Sequence, residues 1–312
     1  MLEKAVSRKR WAWLHTMRKQ HAYLLMLLPG VAYYVIFKYI PIVSGVMLSV
    51  VKYNLRKGIL ASPVLDPWYK NFQFFVQSPY FTQLLSNTLI ISLQKMLIGL
   101  PLAVLLAIFL FECRSTRFRR AIQTLTYMPH FLSWVVIYGM CFALFSETNG
   151  LLNDWIRTLT GRTLPFFSSQ PIFRNLIIWS DIWKSTGWSA ILYMAAISGI
   201  DPNLYEAASI DGCSRVRSIW HITLPSIMPV VVLTLILRCG SILDAGFEQI
   251  FVMYNTAVRP AVDIIDTWVY RTGLENMNLP LASAVGLFKS IISFALVVAT
   301  NNVARRWGGS MW

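Results

Sequence analysis

The chain has 312 residues, of which 56% are hydrophobic and only 13% are charged, and its mean hydropathy is +0.53. These proportions exclude an ordinary soluble domain and indicate a protein embedded in membrane lipid. The formal net charge of +14 would also suit a nucleic-acid partner. However, the lysines and arginines cluster beside apolar runs and form no basic stripe with interleaved aromatics, so the pattern argues against nucleic acid.

Six apolar runs are long enough to cross a hydrocarbon core of about 30 Å, which takes roughly 20 helical residues. We therefore predict an all-α integral membrane protein with six transmembrane helices. The first span is predicted to be uncleaved, because no small-residue cleavage pattern follows its apolar run. The predicted spans are residues 22–51, 84–111, 119–145, 173–199, 226–245 and 281–304. They form one transmembrane domain, 22–304, between a basic N-terminal segment, 1–21, and a short tail, 305–312.

The basic residues predict how the chain is oriented. By the positive-inside rule, short segments rich in lysine and arginine face the cytoplasm. Both termini and the insert between the fourth and fifth spans are therefore predicted to be cytoplasmic, and residues 52–83, 146–172 and 246–280 form the outer loops. The residues that set this orientation are Lys4, Arg8, Lys9, Arg10, Arg18, Lys19, Arg114, Arg117, Arg119, Arg120, Arg215, Arg217, Arg305 and Arg306.

The polar insert between the fourth and fifth spans carries clear helix signals. Asp201 can cap a helix that starts at Pro202, and Gly212 supplies a left-handed stop. Ser214 can cap a second short helix, which Pro225 ends. The sequence therefore predicts a helix, a tight turn and a second helix.

The first of these helices has a small, acidic face. Ala207, Ala208 and Ser209 leave a flat surface that another backbone can approach, and Glu206 offers a carboxylate to a basic partner. The alternative is a helix that lies on the lipid head groups. Such helices prefer a wide apolar face edged by lysine and arginine. Docking to another protein fits this composition better.

The insert reads EAA, three residues, G, nine residues, and then I-x-LP. This spacing resembles the cytoplasmic EAA signature of permease subunits in binding-protein-dependent ABC importers. The resemblance implies the type I ABC importer permease fold, in which the coupling loop, here 201–225, forms coupling helices that sit in a cleft of the ATPase subunit. The ATPase-coupling residues that it implies are Glu206, Ala207, Ala208, Gly212, Ile222, Leu224 and Pro225.

Four further segments resemble the polysaccharide-type branch of the maltose-like carbohydrate permeases. They are LLPGVAYYVIFKYIP (27–41), GFEQIFVMYN (246–255), DIIDTWVYRTGL (263–274) and AVGLFKS (284–290). Within that branch, the chain is similar to the first of the two permease subunits of bacterial alginate importers. The resemblance implies an ATP-driven importer of an acidic, alginate-like oligo- or polysaccharide, as a multi-pass protein of the bacterial cytoplasmic (inner) membrane.

The same resemblance implies the partners. They are a second permease subunit that completes a heterodimer, a dimer of ATPase subunits that binds ATP and Mg, and an extracellular or periplasmic solute-binding protein. The chain has no GxxxxGK[ST] phosphate loop, so we expect no ATP site of its own. Its four histidines show no HExxH or other ligand spacing, so we expect no metal, no cofactor and no catalytic residues in this subunit.

Charged and aromatic residues inside the predicted spans are candidates for the substrate path. A charge near the bilayer centre is costly unless it is paired or faces water. The alternative for the charges is a salt bridge within the bundle, and for the aromatics a place in the core or in an interfacial belt. An ion-coupled secondary transporter that uses these charges is the alternative function. The candidates are Arg238, Asp244, Lys184, Trp188 and Tyr193.

Overall fold

A computed structural model describes residues 20–305, so the predicted orienting residues before position 20 and Arg306 lie outside the described part. Within it, the regular elements are helices, and one isolated antiparallel bridge joins Val51 to Val64. The helices are α1 (His21–Val50), α2 (Lys70–Val76), α3 (Phe81–Glu112), α4 (Thr116–Phe131), α5 (Trp134–Phe145), α6 (Leu151–Thr160), α7 (Gln170–Ser198), α8 (Pro202–Ile210), α9 (Arg215–Gly240), α10 (Phe247–Met253), α11 (Arg259–Val262), α12 (Ile265–Tyr270) and α13 (Leu279–Arg305).

The six predicted spans correspond to α1, α3, the pair α4–α5, α7, α9 and α13. Within residues 20–305, four of these helices, α1, α3, α9 and α13, are long and apolar enough to cross a membrane, and α4–α5 adds a fifth if the bent pair is one span. Helix α7 has 29 residues but carries Arg174, Asp181 and Lys184, which lower its apolar character. The all-helical membrane fold is confirmed.

The third predicted span, 119–145, is divided into two helices, α4 and α5. Helices α4 and α5 meet at an angle of 109°. Helix α4 ends in a 3₁₀ turn that contains Pro129, and Ser133 then caps α5. Carbonyl groups at such a break lack helical donors. The Lys184 ammonium supplies the missing donors, because it donates hydrogen bonds to the carbonyls of Pro129, His130 and Leu132.

Two prolines are accommodated by wide π turns rather than by helix ends. In α9, residues Ile219–Thr223 form a π turn just before Pro225, and in α1, residues Val35–Tyr39 form one just before Pro41. A proline inside a regular helix lacks a donor and its ring clashes with a carbonyl one turn earlier. The wider turn relieves that clash, and the helix continues. The prediction that Pro225 ends the second insert helix is therefore wrong, and α9 runs unbroken from the insert into the bundle.

Much of the segment between α9 and α13, the predicted outer loop 246–280, is packed against the bundle instead of being a solvated loop. Ile250, Val262 and Ile264 on this segment are fully buried in one apolar core with Ile91 of α3 and Phe173 of α7. Because α10–α12 fill the space beside α3 and α7, they stand next to any site that those helices form.

Polar tethers hold the same segment in place. The Asn87 side-chain amide on α3 donates to the carbonyls of Pro260 and Asp263, at 2.9 and 3.0 Å. The Arg174 guanidinium on α7 donates to the Ala261 carbonyl at 2.9 Å and to the Asn87 side-chain oxygen at 2.8 Å. Buried backbone carbonyls must find donors. These tethers satisfy the carbonyls of a short helix that has too few residues to satisfy its own.

Candidate functional site

The first half of the coupling loop has the predicted helix and stop. The Asp201 carboxylate accepts a hydrogen bond from the Asn203 amide at 3.0 Å, and Pro202 is the first residue of α8. Gly212 has φ +71, and the next amide, that of Cys213, donates to the Ala208 carbonyl at 2.8 Å. Helices commonly end in this way, with a residue in the left-handed conformation followed by an amide that bonds to the carbonyl five residues earlier. The capping signals in the sequence are thus confirmed.

Side-chain contacts tie the coupling loop to the bundle. Ser214 caps the start of helix α9, since its hydroxyl accepts a hydrogen bond from the Arg217 amide at 3.4 Å. The hydroxyls of Tyr205 and Thr223 are 2.9 Å apart and join α8 to α9. The coupling loop therefore has a side-chain link to α9 in addition to its chain connection.

The predicted coupling residues divide between an exposed surface and a supporting layer. Glu206, Ala207, Gly212 and Pro225 are exposed, whereas Ala208, Ile222 and Leu224 are half-buried. Leu224 packs against the apolar cluster shared by α3, α7 and α9. The exposed members can contact a partner, and the half-buried members shape the loop.

Three large apolar side chains that the sequence reasoning missed extend the exposed surface. Ile210, Val216 and Trp220 are 87%, 66% and 65% exposed. All three lie within the coupling loop, 201–225. Their positions beside the EAA residues could have been noticed in the sequence, but only the structure shows that the bundle leaves them uncovered.

A polar cavity of ≈ 330 Å³ lies between α3, α7 and the end of α9. It brings together Arg238 and Asp244, the two predicted path residues on and after α9. It also contains Lys95, Asp181 and Ser185, which were not among the predicted path residues. Charged groups from three helices converge here, although they are far apart in the sequence.

Lys95 and Arg238, the two cations that line this cavity, differ in how many of their hydrogen-bond donors have a partner. The Lys95 ammonium lies 2.9 Å from the Ala245 carbonyl, 2.5 Å from the Gln249 side-chain oxygen and 3.5 Å from the Asp181 carboxylate. The first two contacts are hydrogen bonds, which use two of the three ammonium donors, and the third is an ion pair. The Arg238 guanidinium has five donors. One of them bonds to the Ser189 hydroxyl at 3.1 Å, and no ion pair of Arg238 is found within residues 20–305.

The other three predicted path residues do not line this cavity. The Lys184 ammonium instead donates hydrogen bonds to backbone carbonyls at the break between α4 and α5. The Trp188 ring stacks on His130, with ring centroids 4.5 Å apart. The Tyr193 side chain is buried in the bundle, and its hydroxyl lies 2.8 Å from that of Thr234. Within residues 20–305, no group of three or more His, Cys, Asp or Glu side chains could hold a metal ion.

Comparison with known proteins identifies the type of molecule. Residues 99–309 match the model of the family described as binding-protein-dependent transport system inner membrane component. The chain belongs to this family. Its members are transmembrane permeases without catalytic residues, and a separate ATPase hydrolyses ATP. The predicted family resemblance and the assignment as a non-enzyme are therefore confirmed.

Relatives and solved structures match the permease over almost its whole length. Protein LplB of Bacillus subtilis is 38% identical over 95% of this chain and 92% of its own length. The polygalacturonan/rhamnogalacturonan transport system permease protein YteP of Bacillus subtilis is 40% identical over 93% of this chain and 89% of its own length. A chain of a bacterial ABC transporter involved in the import of the acidic polysaccharide alginate is 32% identical, with a TM-score of 0.86 over 95% of this permease and 99% of that chain.

Proposed function

We propose that this permease is one subunit of an ATP-driven importer that moves an acidic oligo- or polysaccharide across the bacterial cytoplasmic membrane. The observation that carries the proposal is the agreement of two long matches. One is a relative named for polygalacturonan and rhamnogalacturonan, and the other is a solved structure of an alginate importer. Both named cargoes contain sugar rings with carboxylate groups, so the shared chemistry is that of a uronate chain.

The coupling loop is proposed to face the cytoplasm and to dock on the ATPase. Its exposed surface combines the Glu206 carboxylate, the small side chain of Ala207 and the apolar side chains of Ile210 and Trp220. An apolar patch edged by charge is typical of a specific protein interface. ATP and Mg bind to the ATPase dimer, and closure of that dimer moves α8 and α9. This movement shifts the spans as rigid bodies, so that the path opens alternately to the two sides of the membrane.

Two further partners complete the proposed importer. A second, different permease subunit encloses the path together with this one, and a solute-binding protein delivers the saccharide to the outer side. A solved structure of the alginate transporter includes a periplasmic protein with a bound alginate pentasaccharide, which supports the second partner by similarity.

Arg238 is the proposed contact for a uronate carboxylate on the path. Its guanidinium lines the cavity and makes one hydrogen bond within residues 20–305, to Ser189, whereas the Lys95 ammonium makes two hydrogen bonds and an ion pair with Asp181. Arginine binds a carboxylate through two parallel hydrogen bonds, which lysine cannot do. Asp244, on the same cavity wall, is proposed to repel carboxylates and so to keep the residence of each uronate short.

Reconstitution tests the proposed function. The permease is placed in liposomes with its second permease and ATPase, and uptake of labelled oligogalacturonate is measured with its binding protein present. We expect uptake that requires ATP and all four components and that is independent of an ion gradient. Uptake by this chain alone, driven by a proton or sodium gradient, would instead establish the ion-coupled alternative.

A further inference from the structure

The corner at the end of α9 is the point where this helix meets the rest of the bundle. Helix α9 ends at Gly240, a short turn follows, and α10 starts after Gly246, which has φ +92. Such a backbone conformation suits glycine and strains other residues. A Cβ atom at Gly246 would also lie 3.0 Å from the Lys95 ammonium nitrogen. The corner is therefore built closely around the Lys95 side chain.

Lys95 joins three elements at this corner. It stands on α3, bonds to the Ala245 carbonyl in the turn and to the Gln249 side chain on α10, and lies near the Asp181 carboxylate on α7. Gln249 extends the connection, because its amide donates to the Ile177 carbonyl at 2.7 Å. A buried network in which every member has partners is rigid and specific.

The other end of α9 belongs to the coupling loop. The helix has 26 residues from Arg215 to Gly240. At 1.5 Å per residue it is about 39 Å long. A displacement at its first turn can shift the far end freely if that end is loose. If the turn that directly follows α9 is held by Lys95 at Ala245, the same displacement tilts α9 about the corner and opens or closes the cavity beside it.

We propose that Lys95 is a positioning residue that holds the turn between α9 and α10 as a fulcrum, so that movement of the coupling loop becomes a change in the translocation cavity. The inference rests on the proposed function. It assigns Lys95 to the mechanical connection, and leaves Arg238 as the cation that contacts the substrate. Coupling between distant sites is carried by a discrete element that both sites bias, and α9 with its held corner is such an element.

The test compares Lys95→Met with a matched control in the complete reconstituted importer. The readout is the number of oligogalacturonate molecules taken up per ATP hydrolysed, which a general loss of protein does not change. Lys95→Met is expected to lower this ratio roughly ten-fold, with ATP hydrolysis retained. Lys95→Arg, which keeps the charge, is expected to restore at least half of the wild-type ratio.

Lys289→Met is the control, because Lys289 is also a cation within the bundle, but its ammonium bonds to Asp266, at 2.6 Å, and not to Ala245 or Gln249. Its ratio should match that of the wild type. Should Lys95→Met fail to assemble, Gly246→Ala disturbs the same corner without removing the charge, and the same fall in ratio is expected. A normal ratio in Lys95→Met or in Gly246→Ala, or an equal fall in Lys289→Met, would overturn the inference alone. A wild-type complex without ATP-dependent uptake would overturn the proposed function as well.

Discussion

Replacing Asp263 by alanine tests whether the segment between α9 and α13 is part of the core. The Asp263 carboxylate accepts from the two terminal nitrogens of Arg271 at 2.9 and 2.5 Å, and from the Thr267 hydroxyl at 2.6 Å. The side chains of Asp263 and Arg271 are only 9% and 17% exposed. Few water molecules can replace the lost carboxylate.

The expected loss of stability follows from this burial. Removal of one partner of a buried ion pair costs about 3–5 kcal/mol, because the other charge stays buried without a partner. Arg271 keeps some exposure, so we expect the lower end of that range for Asp263→Ala. The double variant Asp263→Ala/Arg271→Met removes both charges and should regain most of the loss, since an apolar replacement of a buried pair is often near neutral.

The assay is thermal unfolding of the purified permease in detergent. Asp263→Ala should lower Tm by about 5 °C or more. The control is Asp154→Ala on α6, where Asp154 lies 2.6 Å from Arg157 but the two side chains are 47% and 57% exposed. An exposed pair of this kind contributes well under about 1 kcal/mol. Equally small effects of both variants would show that residues 246–278 form a solvated loop, and would refute the buried packing.

Three further outcomes are expected. Arg238→Gln should reduce kcat/KM for an oligogalacturonate roughly ten-fold or more, because a charge-assisted hydrogen bond is lost, and should leave a neutral oligosaccharide unaffected; an equal loss for both substrates would contradict a carboxylate contact. Glu206→Lys should leave folding intact and lower uptake per ATP roughly ten-fold, whereas normal uptake would show that the docking surface lies elsewhere. Gly187→Val should lower the free energy of unfolding by about 3 kcal/mol, since a Cβ there would lie 2.0 Å from the Thr126 carbonyl oxygen. Gly139→Ala, with open space around it, should not; a matching loss would remove close packing as the cause.

In the coupling loop, the helix caps could be predicted from the sequence, but the effect of Pro225 could not. Asp201, Gly212 and Ser214 act on their immediate neighbours, so their caps could be predicted from the chain alone. The role of Pro225 could not, because a proline can either end a helix or be accommodated by a π turn. Which of these occurs depends on tertiary packing, and here Ile219 in the turn and Leu224 directly after it pack against the bundle.

The substrate path shows the limit more clearly. The sequence offered five candidate residues, and the structure places Arg238 and Asp244 in one cavity and the other three elsewhere. Lys184 is a good example, since its charge serves carbonyls at a break between α4 and α5 that hydropathy did not reveal. The sequence shows which residues are charged, but it does not show which groups those residues contact in the folded protein.

The sequence by itself determined the membrane class, the helical fold and the coupling loop, because apolar run length and local capping depend on residues within a few turns of one another. Tertiary structure decided the bend between α4 and α5, the burial of α10–α12 and the use of each interior charge. Lys95 and Ala245 are 150 residues apart in the chain and 2.9 Å apart across their hydrogen bond. Contacts of that separation arise only when the helices pack, and they separate Lys95, which holds the corner, from Arg238, which faces the cavity.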